Sequence, residues 1–217
     1  MSASRTLAQP RITAKTRLID AAHALVRRQG YAATTVDEIC NAAGVTKGAF
    51  FHHFASKEAL AVAAADHWTM RAAPLFELPP YTRLEDPLDR LIGHIDMRLE
   101  MIDGPAEGFT CFAGTMVQEA FASSDPIRAA CDASFNAYCE ALAVHVQAAF
   151  DRHGIRPGIT AIGLARHVQS VLQGAFVLAK AADDPAIARE SVLHLRRYVL
   201  MLFGRGKDDQ CHRNSTN

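Results

Sequence analysis

The chain has 217 residues, 49% of them apolar and 21% charged, with 23 Lys+Arg balanced by 23 Asp+Glu. This is the composition of a globular protein that buries a core without disulfide staples, and no apolar run approaches the roughly eighteen residues of a membrane span. The five cysteines (Cys40, Cys111, Cys131, Cys139 and Cys211) form no C-x-x-C pair, and the first ten residues lack the apolar stretch of a secretory leader. Zinc-ribbon and thioredoxin-like readings therefore have no support, no secretory leader or membrane span is expected, and a cytoplasmic protein with reduced thiols and no membrane partner is the expectation.

The balanced charge conceals an asymmetry. Residues 1–60 hold eight Lys/Arg against four Asp/Glu, and the remainder holds fifteen against nineteen. A basic front joined to an acidic body points to a nucleic-acid-binding module attached to something else.

Taken in order, the periodic stretches read as helices. Residues 13–29 place Leu18, Ile19, Ala22, Leu25 and Val26 on one face, and Gly30 stops that helix. Thr35 caps a second helix, with Glu38 three residues later completing a capping box and Val36, Ile39 and Ala43 facing inward. Gly44-Val45 make a turn, Thr46 caps a short third helix to about His53, and Ser56 caps a fourth running towards Arg71. Pro74, Pro79 and Pro80 mark a connection. Asp86-Pro87 opens a helix with an apolar stripe from Leu88 to Ile102, ended by Gly104. Residues 112–122 form a short helix, Asp125-Pro126 opens another to Gly154, residues 159–181 form the next, and Asp184-Pro185 opens the last, ending near Phe203-Gly204. Each aspartate is expected to cap its helix. The sum is an all-α chain of about nine helices with no strand. It divides into a flexible arm over 1–12, a first module over 13–60, a second over 61–204, and a disordered tail over 205–217.

The decisive segment is TVDEICNAAGVTKGAFFHHFASK, residues 35–57. It is a helix, a glycine-containing turn and a second short helix, the spacing of a helix-turn-helix. In that motif the second helix lies in the major groove with its N-terminal residues nearest the base edges. Phe50 and Phe54, at i and i+4, anchor it to the first and fourth helices.

Residues 13–60 resemble the N-terminal domain of TetR/AcrR-family regulators. Thr35, Ala43-Gly44-Val45, Thr46-Lys47-Gly48, Phe51-His52-His53-Phe54 and Lys57-Glu58-Ala59-Leu60 carry the likeness. It implies an N-terminal three-helix DNA-binding domain and a C-terminal helical domain for ligand binding and dimerisation. The partners implied are a double-stranded DNA operator, a second copy of the chain and a small organic effector. It implies DNA contacts from Thr35, Thr46, Lys47, Gly48, Ala49, His52, His53 and Lys57, with His53 a base-edge reader and Lys57 gripping a phosphate. Arg5, Arg11, Lys15 and Arg17 would add contacts from the arm. Phe51 stands where the family usually has tyrosine, so the phosphate contact through that hydroxyl is lost, and Cys40 replaces a common alanine.

The resemblance further implies that the residues after about 75 bind the ligand and form the dimer. The last two helices mix small residues (Gly163, Ala165, Gly174, Ala175, Ala186, Ala188) with Leu164, Val168, Val171, Leu172, Leu195, Val199 and Leu202. Two copies would make a four-helix bundle, and an intramolecular core is the equal alternative. Polar or soft groups on apolar helices are candidate pocket residues: His67, Trp68, His94, Met97, Arg98, Met101, Cys111, Phe112, Met116, Glu119, Tyr138, Gln169 and Gln173. Arg98 and His94 are candidates to meet an anionic ligand. The stretch Phe109–Met116 resembles the Gly-Cys-Leu segment of one TetR subgroup, some of whose members respond to electrophiles or oxidants through a cysteine. A packed, inert Cys111 is the favoured reading.

No Ser/His/Asp set, phosphate-binding glycine loop or His-x3-His pair is present, so neither an enzyme nor a metal or cofactor protein is expected. The expected function is a repressor released from a palindromic operator by a small organic ligand. A DNA-binding protein without a ligand stays open, and a solid C-terminal core would favour it.

Overall fold

Helix starts in this chain are written in its hydroxyl side chains. Thr13, Thr35, Thr46 and Ser56 each accept a hydrogen bond from the backbone N–H three residues on, satisfying one of the orphan amides of a first turn. These caps open α1 (Ala14–Gln29), α2 (Val36–Ala43), α3 (Lys47–His53) and α4 (Lys57–Ala72) in the computed structural model, which describes residues 13–154 and 158–205. At Thr35 the capping box is complete, since Glu38 Oε2 also accepts from the Thr35 N–H at 2.8 Å. Gly44 ends α2 in the left-handed region (φ 61°, ψ 44°), which reverses the chain sharply between α2 and α3.

Two 3-10 turns, Ala73–Phe76 and Pro80–Arg83, make the proline-rich connection. The chain continues as α5 (Pro87–Glu100), α6 (Ala106–Phe109), α7 (Phe112–Ala120), α8 (Asp125–His153), α9 (Ala161–Ala182) and α10 (Pro185–Leu202). The described residues thus hold ten α-helices, not nine, and no strand. The additional one, α6, is a single turn after Pro105, too short to show a hydrophobic period. α5 ends two residues earlier than expected, although Ile102 is still buried beyond its end. Asp86 and Asp184 cap their helices, but at Asp125-Pro126 the cap is Ser124, whose Oγ accepts from the Ile127 N–H. Asp125 falls in the first turn, where its charge still favours the helix dipole.

The apolar faces close two adjoining cores. One joins α5, α8, α9 and α10 around Leu91, Ile95, Leu142, Val146, Leu172 and Val199. The other gathers α1–α4 around Leu18, Leu25, Ile39, Phe50 and Leu60, and is completed by Phe112 and Met116 of α7 and by Ile127 and Cys131 of α8. α4 runs unbroken past residue 60, the boundary expected from the sequence, and its last turn packs with the second half of the chain. Leu164, Ala165, Val168, Leu172, Ala175, Ala188, Leu195 and Val199, offered as dimer area, lie in the intramolecular core instead. Periodicity marks a buried face without saying whose chain buries it.

Arg205, read as the start of a disordered tail, is held by Asp89 at 2.7 Å and Asp86 at 2.9 Å. Arg5 and Arg11, the rest of the arm and tail, and Cys211 lie outside the described residues. No described helix is long and apolar enough to cross a membrane.

Candidate nucleic-acid interface and internal cavity

α3 is seven residues long and is held from behind. Phe50 and Phe54 are buried with ring centroids 6.0 Å apart, and Lys15 of α1 sits over the Phe54 ring at 5.8 Å. Arg17 of α1 donates from Nη1 to the Gly44 carbonyl at 3.3 Å, tying the turn to the first helix. With its rear anchored, α3 presents Lys47, Gly48, Phe51, His52 and His53 to solvent, with Ala49 half-buried. Thr35 and Thr46 are exposed at the front ends of α2 and α3.

Their chemistry is not uniform. The Thr46 hydroxyl accepts from the Ala49 N–H, and the Thr35 hydroxyl donates to Glu38, so each is engaged in its cap. Lys47 pairs with Asp37 at 2.9 Å, both side chains well exposed, and such a pair is worth little and is readily exchanged for another anion. The His52 and His53 rings meet edge to face at 5.0 Å. Phe51 is 53% exposed and presents a bare ring where a hydroxyl would otherwise stand.

Lys57 departs from expectation. Its Nζ donates to the Tyr31 and Thr34 carbonyls at 3.0 and 2.9 Å and lies 4.3 Å from the Tyr31 ring centroid. Burial lowers its pKa. The ammonium expected to grip a phosphate is spent on closing the α1–α2 connection, where the Tyr31 carbonyl also accepts from the Thr34 N–H at 3.2 Å.

Behind this surface lies a cavity of about 350 Å3, within the size range of small-molecule sites. Trp68, Arg98, Met101, Cys111, Tyr138, Gln169 and Gln173 line it, as expected from the sequence. The other candidates do not. Phe112 and Met116 are fully buried in the core around α1–α4. Glu119 is exposed and accepts from the Ala32 N–H at 2.7 Å, linking α7 to the α1–α2 connection. His67 stacks on His23 at 5.6 Å, and Met97 lies on α5 away from the lining.

His94 is buried behind the cavity in a directed relay. The Tyr81 hydroxyl donates to the Leu75 carbonyl, so its oxygen accepts from His94 Nδ1 at 2.9 Å. His94 Nε2 then accepts from the Tyr138 hydroxyl at 2.7 Å. Burial, with the Arg98 charge, pushes the His94 pKa down to about 3, so the ring is neutral and cannot serve as a cation for a ligand.

The sequence reading missed Arg27, Arg71, Ala72, Leu75, Gly108, Phe109, Ser134 and Phe135 of the lining. Arg27 and Arg71 lie in the last turns of α1 and α4, where a basic residue is ordinary, and nothing local shows that both border the cavity. Gly114 lets the Gln173 amide approach α7 closely, because a side chain there would overlap the Gln173 amide oxygen unless Gln173 moved. Cys111 is half-buried, and its Sγ caps α7 by accepting from the Gly114 N–H at 3.4 Å.

One group has the make-up of a metal site: Asp20, His23 and His67 bring one ligand atom each within 4.8 Å of one another. His23 shares its Nε2 with the Ala64 carbonyl at 2.8 Å, which leaves Nδ1 as a buried lone pair. The neighbouring charges oppose a cation. Arg27 and Arg71 both act on His23, whose pKa is lowered to about 4, chiefly by burial, and Arg71 already holds Asp20 at 3.4 Å.

Comparison with known proteins agrees with this architecture over nearly its whole length. Residues 18–64 match the family model of bacterial regulatory proteins of the tetR family, and residues 87–195 match the tetracyclin repressor-like C-terminal domain. A regulatory protein TetR from Rhodobacter sphaeroides superposes with a TM-score of 0.74 at 25% identity, covering 89% of this chain and 98% of that one. A TetR transcriptional regulator from Chloroflexus aurantiacus gives 0.73 at 26% identity, over 86% and 93%. Among curated relatives, the uncharacterized HTH-type transcriptional regulator YerO of Bacillus subtilis is 44% identical over 54 residues, 25% of this chain and 19% of that protein. The HTH-type transcriptional repressor KstR2 of Rhodococcus jostii is 46% identical over 46 residues, 21% and 22% of the two chains. The match thus spans about a fifth of the length of these relatives. The two family models together cover the helix-turn-helix segment and most of the helical body that follows it, and the chain belongs to the TetR family of DNA-binding transcriptional regulators.

Proposed function

We propose that this protein is a repressor that holds a palindromic operator as a homodimer and is released from it by a small organic ligand. The observation that carries the reading is the pairing of two features. A solvent-facing α3 is fixed rigidly from behind, and a cavity is lined by both α1/α4 and α5/α8/α9. α3 would enter the major groove with Lys47 on a phosphate, Gly48 and Ala49 against the groove floor, and His52 and His53 reaching base edges. Thr35 and Thr46 would stand at the flanking backbone. Lys57 is left out of this set, since its ammonium is engaged within the chain.

The dimer would form through the outward stripes of the last two helices. Gly163, His167, Ser170, Gly174, Val177 and Leu178 form one stripe on α9, and Leu193, Tyr198 and Met201 mark the other on α10. Nothing stands within 4 Å of the position a Gly174 side chain would take, so a partner helix could approach closely there. Twofold symmetry then sets two α3 helices on half-sites about 34–36 Å apart, and a ligand that favours another spacing loses contacts at both.

Selection of binding sites from a random duplex pool tests the reading, with sedimentation of the complex and transcription in vitro from a promoter carrying the selected site. A palindrome bound by two protomers, with transcription reduced, is expected. An asymmetric site bound by one protomer, or activated transcription, would refute it.

A further inference from the structure

The cavity has an uneven charge. Three arginines line it, Arg27, Arg71 and Arg98, and no carboxylate does. They come from three helices: Arg27 closes α1, Arg71 closes α4, and Arg98 lies in the last turn of α5. Burial, and after it the Arg71 charge, lower the pKa of Arg27, so the two cations are close enough to feel each other. Arg98 is short of acceptors. Its Nε is buried with no hydrogen-bond partner, and its Nη1 reaches only the Met101 sulfur at 3.8 Å, a poor acceptor. A buried guanidinium donor without an acceptor is a standing cost that an anion entering the cavity would remove.

The rest of the lining restricts the ligand further. The Tyr138 hydroxyl gives its proton to neutral His94, so it offers the cavity only an oxygen. The Gln169 and Gln173 amides and the Ser134 hydroxyl are neutral donors in the lining, and the guanidinium groups are its charged ones. Trp68, Phe109 and Phe135 supply aromatic lining, with the Arg27 guanidinium 5.1 Å from the Trp68 ring centroid. A flat apolar body would pack on these rings.

Resting on the ligand-release reading, we propose that the cavity takes a small organic oxyanion, a carboxylate or a phosphate monoester on an apolar body, with its head held between Arg98 and the Arg27–Arg71 pair. Such a head bridges α5 to the ends of α1 and α4. α1 carries the Arg17 tie to the Gly44 turn, so the ligand acts on the element that positions α3. By linkage, DNA and the oxyanion then weaken each other's binding.

Trp68 is the single tryptophan of the chain and lines the cavity, so its fluorescence reports occupancy directly. The full chain is titrated with phenylacetate, octanoate and phenyl phosphate, and with the neutral amides of the two acids, following Trp68 fluorescence and the melting temperature. At least one oxyanion is expected to bind tenfold or more tightly than its neutral counterpart. Arg98→Met, which keeps an unbranched apolar stem without the guanidinium, and Arg71→Gln, at an exposed position, should each remove most of that preference. Tighter binding of phenyl phosphate assigns the head to a phosphate, and tighter binding of the acids assigns it to a carboxylate. Amides that bind as well as the acids would overturn the oxyanion inference and leave a ligand-responsive regulator standing. No response to any of the compounds at millimolar concentration would overturn both.

Discussion

Two lysines of the helix-turn-helix region look alike in sequence and are placed for opposite tasks, which makes them separable by experiment. Lys47 is exposed and paired only with exposed Asp37, so Lys47→Ala should change the melting temperature little, such a pair being worth about 0–1 kcal/mol. If Lys47 meets one phosphate per protomer, the dimer loses two contacts, and the slope of log K against log salt falls by about 1.8. Between 50 and 200 mM salt the wild type then loses about twelvefold more affinity than the variant. Lys57→Met should do the reverse. It removes two charge-assisted hydrogen bonds to the Tyr31 and Thr34 carbonyls, worth about 1.5–3 kcal/mol when buried and about 1–2 kcal/mol after allowance for partial exposure. At about 2–4 °C per kcal/mol for a chain of this size, the melting temperature should drop by about 2–8 °C with the salt slope unchanged. Fluorescence anisotropy on a random-sequence duplex suffices for the slope, because counterion release does not depend on sequence. An unchanged slope in Lys47→Ala, or a slope reduced in Lys57→Met without loss of stability, would refute the assignment of the two side chains.

Three further outcomes are expected. Burial lowers the pKa of His94 to about 3 and of His23 to about 4, so the unfolded chain binds protons at these sites that the folded one refuses. The stability they contribute is fully present above pH 6.5 and falls as the pH drops towards 4, by up to about 1.4 kcal/mol per unit for each ring. Denaturant titrations from pH 7.5 to 4.5 should show this, and His94→Gln should flatten it; an identical pH dependence in the variant would contradict the neutral-relay assignment. Leu193→Glu, on the exposed face of α10, should convert dimer to monomer in sedimentation with the helical content retained, and a variant that stays dimeric would place the interface elsewhere. Gly114→Ala should force Gln173 into a new rotamer visible in a crystal structure, and an unmoved Gln173 would show that α7 yields instead.

Most of the helix map was legible in the linear order of residues because its signals are local. A hydroxyl or aspartate followed by an amide within reach starts a helix, and a glycine in the left-handed region ends it. Thr35 with Glu38 and Gly44 were readable for that reason. The exposed face of α3 was readable as well, since Phe50 and Phe54 mark its rear by spacing alone. α6 was not, because four residues contain no period.

What the sequence by itself determined was therefore the identity and order of the helices other than α6 and the exposed face of α3. Which apolar faces meet within one chain was decided only by tertiary packing, and so was the destination of long flexible cations. Arg27 and Arg71, 44 positions apart in the sequence, converge with Arg98 on one cavity, while Lys57 turns back onto two carbonyls. A long side chain has several rotatable bonds, and the three-dimensional arrangement of neighbouring acceptors chooses among its rotamers. That choice leaves no mark in local composition or periodicity.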